Sequence, residues 1–248
     1  MEAYSGFASV YDIFMDEVPY KEWCENLTEL LAEYGIASGL VLDLGCGTGQ
    51  MTRLLRNKGY DMIGIDISSE MLDRAGEQEE SPASILYLQQ DMRSFELYGT
   101  VRAIVSVCDT MNYLLNPEEV TSVCSLANNY LDPNGIFIFD MNTVAKYRSI
   151  GDCTIAESRE NESFIWNNYF EEETKLNTYE MTFFIKEASG LYQRFDETHV
   201  QRAYTYEEVQ FAIEASGMKC LGILDAETME TADESSQRVY FIAQEQGK

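Results

Sequence analysis

Short, largely apolar runs alternate with stretches of helical spacing along the first part of the chain, and this alternation sets the expected fold. Strand candidates stand at Leu40 to Leu44, Asp61 to Ile65, Ile85 to Gln89, Ala103 to Val107 and Gly135 to Asp140. Such runs suit strands covered on both faces. Between the first two, Met51, Leu54 and Leu55 share a helix face; before the last, Val120, Val123, Cys124, Leu126 and Ala127 do the same. The second of these helices has clear ends. Asn116 precedes Pro117, Glu118 and Glu119, a capping side chain followed by proline and acids, and Asp132-Pro133-Asn134-Gly135 marks the stop. Strands joined by crossover helices predict a parallel sheet.

From about residue 150 to 203 the pattern changes. ESFIWNNYF, TYEMTFFIK and LYQRFDETHVQRAY are rich in aromatic and β-branched residues and are separated by Glu173-Thr174-Lys175 and Ala188-Ser189-Gly190, which predicts an antiparallel meander. Thr205-Tyr206-Glu207-Glu208 then opens a helix running to Gly217, and strands at Lys219 to Leu224 and Arg238 to Ala243 close the chain as a hairpin. At the amino end Phe7, Tyr11 and Phe14 share one helix face and Trp23, Leu27, Leu30 and Leu31 another. The expected architecture is α/β: a Rossmann-like, seven-stranded, mostly parallel sheet with helices on both faces, formed by residues 1–149 and 204–248, with 150–203 as an antiparallel β insertion.

Charge narrows the partners. Lys and Arg total 17 against 43 Asp and Glu, a formal charge of −26, and such a surface repels nucleic acid, whose proteins hold phosphate through Lys and Arg. Arg53, Arg56 and Lys58 gather only at the end of one short helix, where cations suit the helix dipole. The six cysteines, at 24, 46, 108, 124, 153 and 220, form no Cys-x-x-Cys pair and are expected as reduced thiols. With a single histidine, His199, no zinc-type metal site is expected. No apolar run is long enough to span a bilayer. A cytoplasmic protein is expected, one that binds neither membrane nor nucleic acid, and the aromatic-rich insertion could expose a homodimer surface.

The chemistry concentrates in Val41-Leu-Asp-Leu-Gly-Cys-Gly-Thr-Gly-Gln50, a buried strand ending in a glycine-rich turn that enters a helix. Gly45, Gly47 and Gly49 let the main chain approach a nucleoside closely, and Asp66, ending Ile63-Gly-Ile-Asp66, is placed to accept two ribose hydroxyls. The pyrophosphate-binding spacing Gly-x-Gly-x-x-Gly is absent, an acid (Asp43) stands two residues before the first glycine, and Gln89-Gln-Asp-Met92 follows the third strand.

With these stations in order, and Val105-Ser-Val-Cys-Asp-Thr-Met-Asn-Tyr113 after the fourth strand as the last of four, the chain resembles the class I S-adenosylmethionine-dependent methyltransferases over about residues 1 to 145 and the closing strands. The resemblance implies that Asp43, Gly45, Gly47 and Gly49 lie under the methionine moiety, that Asp66 with Ile67 holds the ribose and that Asp91 with Met92 holds adenine. Cys46 inside the loop and Cys108 at the end of the fourth strand would pack against the cofactor. Tyr4-x-x-Phe7-x-x-x-Tyr11-Asp12, Pro19-Tyr20-x-x-Trp23 and the β insertion are similar to the branch acting on amino sugars and glycine. In that branch the first helices (here residues 1–37) and the inserted strands form a lid, and Tyr11 and Trp23 would reach the cofactor. The loop after the fourth strand offers Asp109, Asn112 and Tyr113 as catalytic candidates. Tyr4, Arg194 and His199 are the candidates for holding a small-molecule methyl acceptor at an amine. Two other readings of the glycine loop stay open from residues alone: a nicotinamide-dependent oxidoreductase, or a non-catalytic module that binds S-adenosylmethionine.

Overall fold

The computed structural model describes residues 11–12, 15–16, 18–79 and 85–248. In chain order its first elements are α1 (Tyr20–Glu33), β1 (Gly39–Leu44), α2 (Gln50–Asn57), β2 (Tyr60–Asp66), α3 (Ser69–Glu77), β3 (Ile85–Gln89), β4 (Val101–Ser106), a 3₁₀ turn (Thr110–Tyr113), α4 (Pro117–Tyr130), β5 (Leu131–Asn142) and α5 (Val144–Ile150). There follow β6 (Cys153–Ser158), β7 (Glu162–Glu171), β8 (Leu176–Lys186), β9 (Tyr192–Arg202), α6 (Tyr206–Ala215), β10 (Lys219–Asp225) and β11 (Arg238–Gln244).

Seven strands form one sheet in the order β10-β11-β5-β4-β1-β2-β3. β1 to β5 run parallel, and β11 pairs antiparallel with both β5 and β10. The chain winds outward in both directions from β1 and β4, and such a reversal leaves a crevice beyond the carboxyl ends of those strands. Alternate side chains of β5 show why the runs are apolar throughout. Ile136 and Ile138 pack with Leu27, Leu31, Met51 and Leu55 of α1 and α2, while Phe137 and Phe139 pack with Val120, Val123, Val209 and Ile213 of α4 and α6.

A second, four-stranded antiparallel sheet, β6-β7-β8-β9, falls between α5 and α6. One end of it packs Phe164, Phe183 and Phe195 on Met71 of α3; the other packs Trp166, Phe170 and Tyr179 around Tyr147 of α5. Two features depart from the sequence expectation. β6 was not foreseen, because five of its six residues are exposed and it carries no buried alternation. β5 begins at Leu131 directly after α4, since the pairing jumps from Val101↔Leu131 to Ala103↔Ile136 and Asp132 to Gly135 loop out of the ladder.

The start of α6 ties the two sheets together. Thr205 Oγ1 accepts the Glu208 N–H at 3.3 Å and Glu208 Oε2 accepts the Thr205 N–H at 2.8 Å. Glu208 also pairs with Lys175, in the turn between β7 and β8, at 3.0 Å and with Arg202, the last residue of β9, at 3.2 Å. Thr205→Ala is expected to lower stability by about 1 kcal/mol, seen as a lower urea midpoint with an unchanged m value; an unchanged midpoint would show that the cap contributes nothing.

Candidate functional site

The turn leaving β1 is held by its own main chain. Gly45 and Cys46 donate their N–H groups to the Ile65 carbonyl at 2.7 and 2.9 Å, and Gly47 donates to Asp66 Oδ2 at 2.8 Å. Gly45 has φ of +80°, and a Cβ there would lie 2.1 Å from Thr110 Cγ2, so only glycine allows the loop after β4 to rest on this turn. The Thr48 hydroxyl donates to Asp12 Oδ1 at 2.6 Å, which ties Asp12 to the loop. Above the turn opens a cavity of about 620 Å³, within the range of small-molecule sites.

Acids stand at three neighbouring strand tips. Asp43 is 1% exposed and accepts the Thr52 hydroxyl at 2.6 Å. Burial pushes its pKa up to about 7, against the Thr52 hydrogen bond and with help from the Asp66 charge. Asp66 is also raised by burial, opposed by the N–H groups of Ser68, Gly47 and Ile67. Its two oxygens are thereby fixed, each with a lone pair to spare for a ligand hydroxyl. Asp91, beyond β3, is held below the ordinary carboxylate range by Arg93, whose other arm reaches Glu119 at 2.9 Å.

The loop after β4 supplies a further wall. Cys108 and Asp109 both adopt left-handed backbone, φ 62° and 51°. Asp140 of β5 holds them there by accepting the Cys108 N–H at 3.1 Å and the Asp109 N–H at 2.7 Å. Arg238 bridges Asp140 at 2.6 Å and Asp109 at 2.7 Å. Burial works against the Arg238 charge, but the two carboxylates push its pKa well up. The second sheet contributes His199, whose Nδ1 shares a 3.1 Å hydrogen bond with the Tyr113 hydroxyl. Burial lowers the His199 pKa to about 4 against the pull of Asp109, so the imidazole is neutral at ordinary pH.

Most of the residues singled out in the sequence meet here. Tyr11, Asp43, Gly45, Cys46, Gly47, Asp66 and Ile67 line the cavity. So do Asp91, Met92, Cys108, Asp109, Tyr113 and His199. Four do not. The Trp23 ring packs under the Arg238 guanidinium, 4.9 Å from its centre, facing a separate cleft. Gly49 is the left-handed residue that starts α2, with Tyr87 against it. Asn112 is fully buried, its amide bonded to the main chain of Asn142 and Arg202. Arg194 is exposed in a pair with Asp196; it lies five residues from His199 on an unbroken strand, an odd spacing that places it on the opposite face. Tyr4, with Phe7 and Phe14, lies outside the described residues.

Sequence reasoning missed Asp140, Asn142, Gln201 and Arg238. Asp140 stands two residues before the end of β5, near a strand tip as Asp66 is, and Gln201 stands two residues from His199, so both had a local signal. Arg238 had none, because its partners Asp109 and Asp140 are distant in the chain.

Residues 41–135 match the profile of a methyltransferase domain. YqeM of Bacillus subtilis (strain 168), a protein named as a methyltransferase, is 35% identical over 243 residues, 97% of this chain and 96% of its own length. A solved S-adenosylmethionine-dependent methyltransferase from Clostridium acetobutylicum superposes with a TM-score of 0.88 at 26% identity, covering 98% of this chain and 99% of that one. A dTDP-3-amino-3,4,6-trideoxy-alpha-D-glucopyranose N,N-dimethyltransferase of Streptomyces venezuelae is 27% identical over 54% of this chain and 56% of its own. No helix among the described residues is long and apolar enough to cross a membrane. The glycine turn, the acids at the strand tips and the full-length likeness agree, and the chain belongs to the class I S-adenosylmethionine-dependent methyltransferases.

Proposed function

We propose that the protein methylates a nitrogen of a small polar amine. The observation that carries this reading is the Asp109 carboxylate beside the Tyr113–His199 pair, in the same cavity as the glycine turn. A carboxylate and neutral polar groups suit an amine or its ammonium form. The partial likeness to an amino-sugar N,N-dimethyltransferase supports the same class.

The cavity suits S-adenosylmethionine: Gly47, at φ +53° with nothing within 4 Å of where a Cβ would stand, leaves the main chain of the turn open, and the buried Asp43 and half-buried Asp66 await a cation and hydroxyl donors. Asp43 and the turn of Gly45 and Gly47 would hold the methionine moiety, Asp66 and Ile67 the ribose, and Asp91 with Met92 the adenine. When bound, the cofactor supplies an electrophilic methyl group on a sulfonium whose departure as a neutral thioether needs no acid. The chain's own task is therefore alignment, and holding reactants in a near-attack geometry is worth on the order of 7–11 kcal/mol. With a pKa of about 4, His199 is too weak a base to strip an ammonium ion, so it orients the Tyr113 phenol instead. The second sheet, with Trp166, Tyr179 and Met181 on the cavity wall, acts as a lid that excludes water from the reacting nitrogen.

Two measurements test the cofactor assignments. Asp66→Ala should weaken S-adenosylhomocysteine binding by roughly tenfold or more, since charge-assisted hydrogen bonds are lost, whereas equal thermal stabilisation of mutant and wild type would refute the ribose role. Asp43 predicts a pH dependence. Its folded pKa of about 7 lies above the ordinary aspartate value of 3.8, so the empty native protein holds an extra proton between those values and loses stability as pH rises through them. A ligand ammonium favours the ionised form, so affinity should fall below pH 7, by about tenfold at pH 6 relative to pH 8. The Asp43→Asn variant should lack this slope, and a wild-type profile flat from pH 8 to 5 would exclude the contact. For the acceptor, incubating amino sugars with labelled S-adenosylmethionine should place the label on nitrogen; label found only on oxygen or carbon would overturn the amine reading.

A further inference from the structure

The hydrogen bonds behind the cavity wall run in one direction and end on an acceptor with nothing to accept. An ionised carboxylate only accepts, so Gln201 turns its Nε2 to Asp109 Oδ2, at 2.6 Å. Gln201 Oε1 is then left to accept, and the Tyr147 hydroxyl donates to it at 2.8 Å. Tyr179 and the Asn142 side chain also stand against the Tyr147 hydroxyl: burial drives the Tyr147 pKa well up, Tyr179 adds to the rise, and Asn142 opposes it, as an amide N–H turned toward the phenol oxygen does. That contact sets Nδ2 on the Tyr147 side of the amide and leaves Oδ1 as the end without a donor.

Asn142 is 5% exposed and lines the cavity, and its Oδ1 has no hydrogen-bond partner among the described residues. A buried carbonyl oxygen without a donor is uncommon in folded proteins and marks a place where a ligand or water is needed. The main chain beneath it is clamped. Asn112 Oδ1 accepts the Asn142 N–H at 2.9 Å, and Asn112 Nδ2 donates to the Asn142 carbonyl at 3.0 Å and to the Arg202 carbonyl at 2.8 Å. Asn112, expected to act in the chemistry, is a positioning residue for Asn142.

We propose, on the reading that the protein is an amine methyltransferase, that Asn142 Oδ1 and the Asp109 carboxylate form the acceptor-nitrogen subsite and that the substrate is a primary amine. Its two N–H groups meet the two acceptors, which leaves the lone pair for the methyl carbon. A hydroxyl offers one hydrogen and leaves one acceptor unmet; a tertiary amine offers none when neutral. In the transfer the nitrogen lone pair forms the N–C bond, the C–S bond breaks with its electrons going to sulfur, and the new ammonium releases one proton to solvent when the product leaves the cavity. Each methyl added removes a donor, so the second transfer is slower than the first.

The test is titration calorimetry on protein saturated with S-adenosylhomocysteine, with methyl glucosaminide, its N-methyl and N,N-dimethyl derivatives, and methyl glucoside as probes. The primary amine should bind about tenfold tighter than the glucoside, with affinity falling at each N-methyl group. Asn142→Ala should remove most of that preference without changing the affinity for S-adenosylhomocysteine. Tyr147→Phe, which touches no ligand but frees the amide to turn over, should remove part of it. The subsite is refuted if Asn142→Ala binds the amine as the wild type does, if glucoside and amine bind equally, or if no amine binds to the loaded protein. Failure of S-adenosylhomocysteine itself to bind the wild type would instead sink the underlying methyltransferase site.

Discussion

The buried Asp140 carboxylate is the constraint on which the cavity depends. It is fully buried and takes three donors: the N–H groups of Cys108 and Asp109 and one arm of Arg238. Residues other than glycine in left-handed backbone cost on the order of 1–3 kcal/mol each, and two consecutive ones persist only where something holds them. Asp140 does so, and Arg238 makes its burial tolerable, since an unpaired buried charge costs about 3–5 kcal/mol. The direction of Asp109 into the cavity follows from this arrangement. So does the placing of Thr110 against Gly45, where the loop after β4 meets the turn after β1.

The same network ties up most of the cavity's positive charge, Lys146 on its wall being the one lining cation outside an ion pair among the described residues. Arg238 is shared between two acids and Arg93 between Asp91 and Glu119, while Asp43 and Asp66 have no cation paired to them among the ion pairs of the described residues and are both raised by burial. A cavity of this kind favours ligands that bring positive charge, as a sulfonium cofactor with an α-ammonium group does. The chain as a whole carries a formal charge of −26, so the long-range field draws cationic ligands toward a local environment that also prefers them.

The sequence made the sheet legible where local and tertiary demands coincide. Runs such as Leu40 to Leu44 are apolar because both faces are covered, and the Asn116-Pro117 start of α4 is written in its own capping chemistry: Asn116 accepts the Glu119 N–H at 3.0 Å. The glycine turn was legible for the same reason, because its conformation is a property of the residues themselves. What stayed hidden depends on partners distant in the chain. Trp23 has the spacing of a core or ligand aromatic, and only the return of β11 places Arg238 over its ring. Asn112 looks chemical in a loop of polar residues, yet its amide is spent on main chain brought to it by β5 and β9.

Register decides the chemistry of the second sheet. β7, β8 and β9 pair without a break from Glu162↔Ile185 to Leu176↔Arg202, so the face of every side chain is set by parity. Glu197, His199 and Gln201 are buried in alternation, and a slip of one residue would present Thr198 and Val200 in their place. The aromatic end of the sheet, where Phe164, Phe183 and Phe195 pack on Met71, acts against such a slip. Apolar contacts at one end therefore fix the polar groups at the other, and the cavity obtains an ordered hydrogen-bonding wall from a sheet whose outer surface is largely solvated.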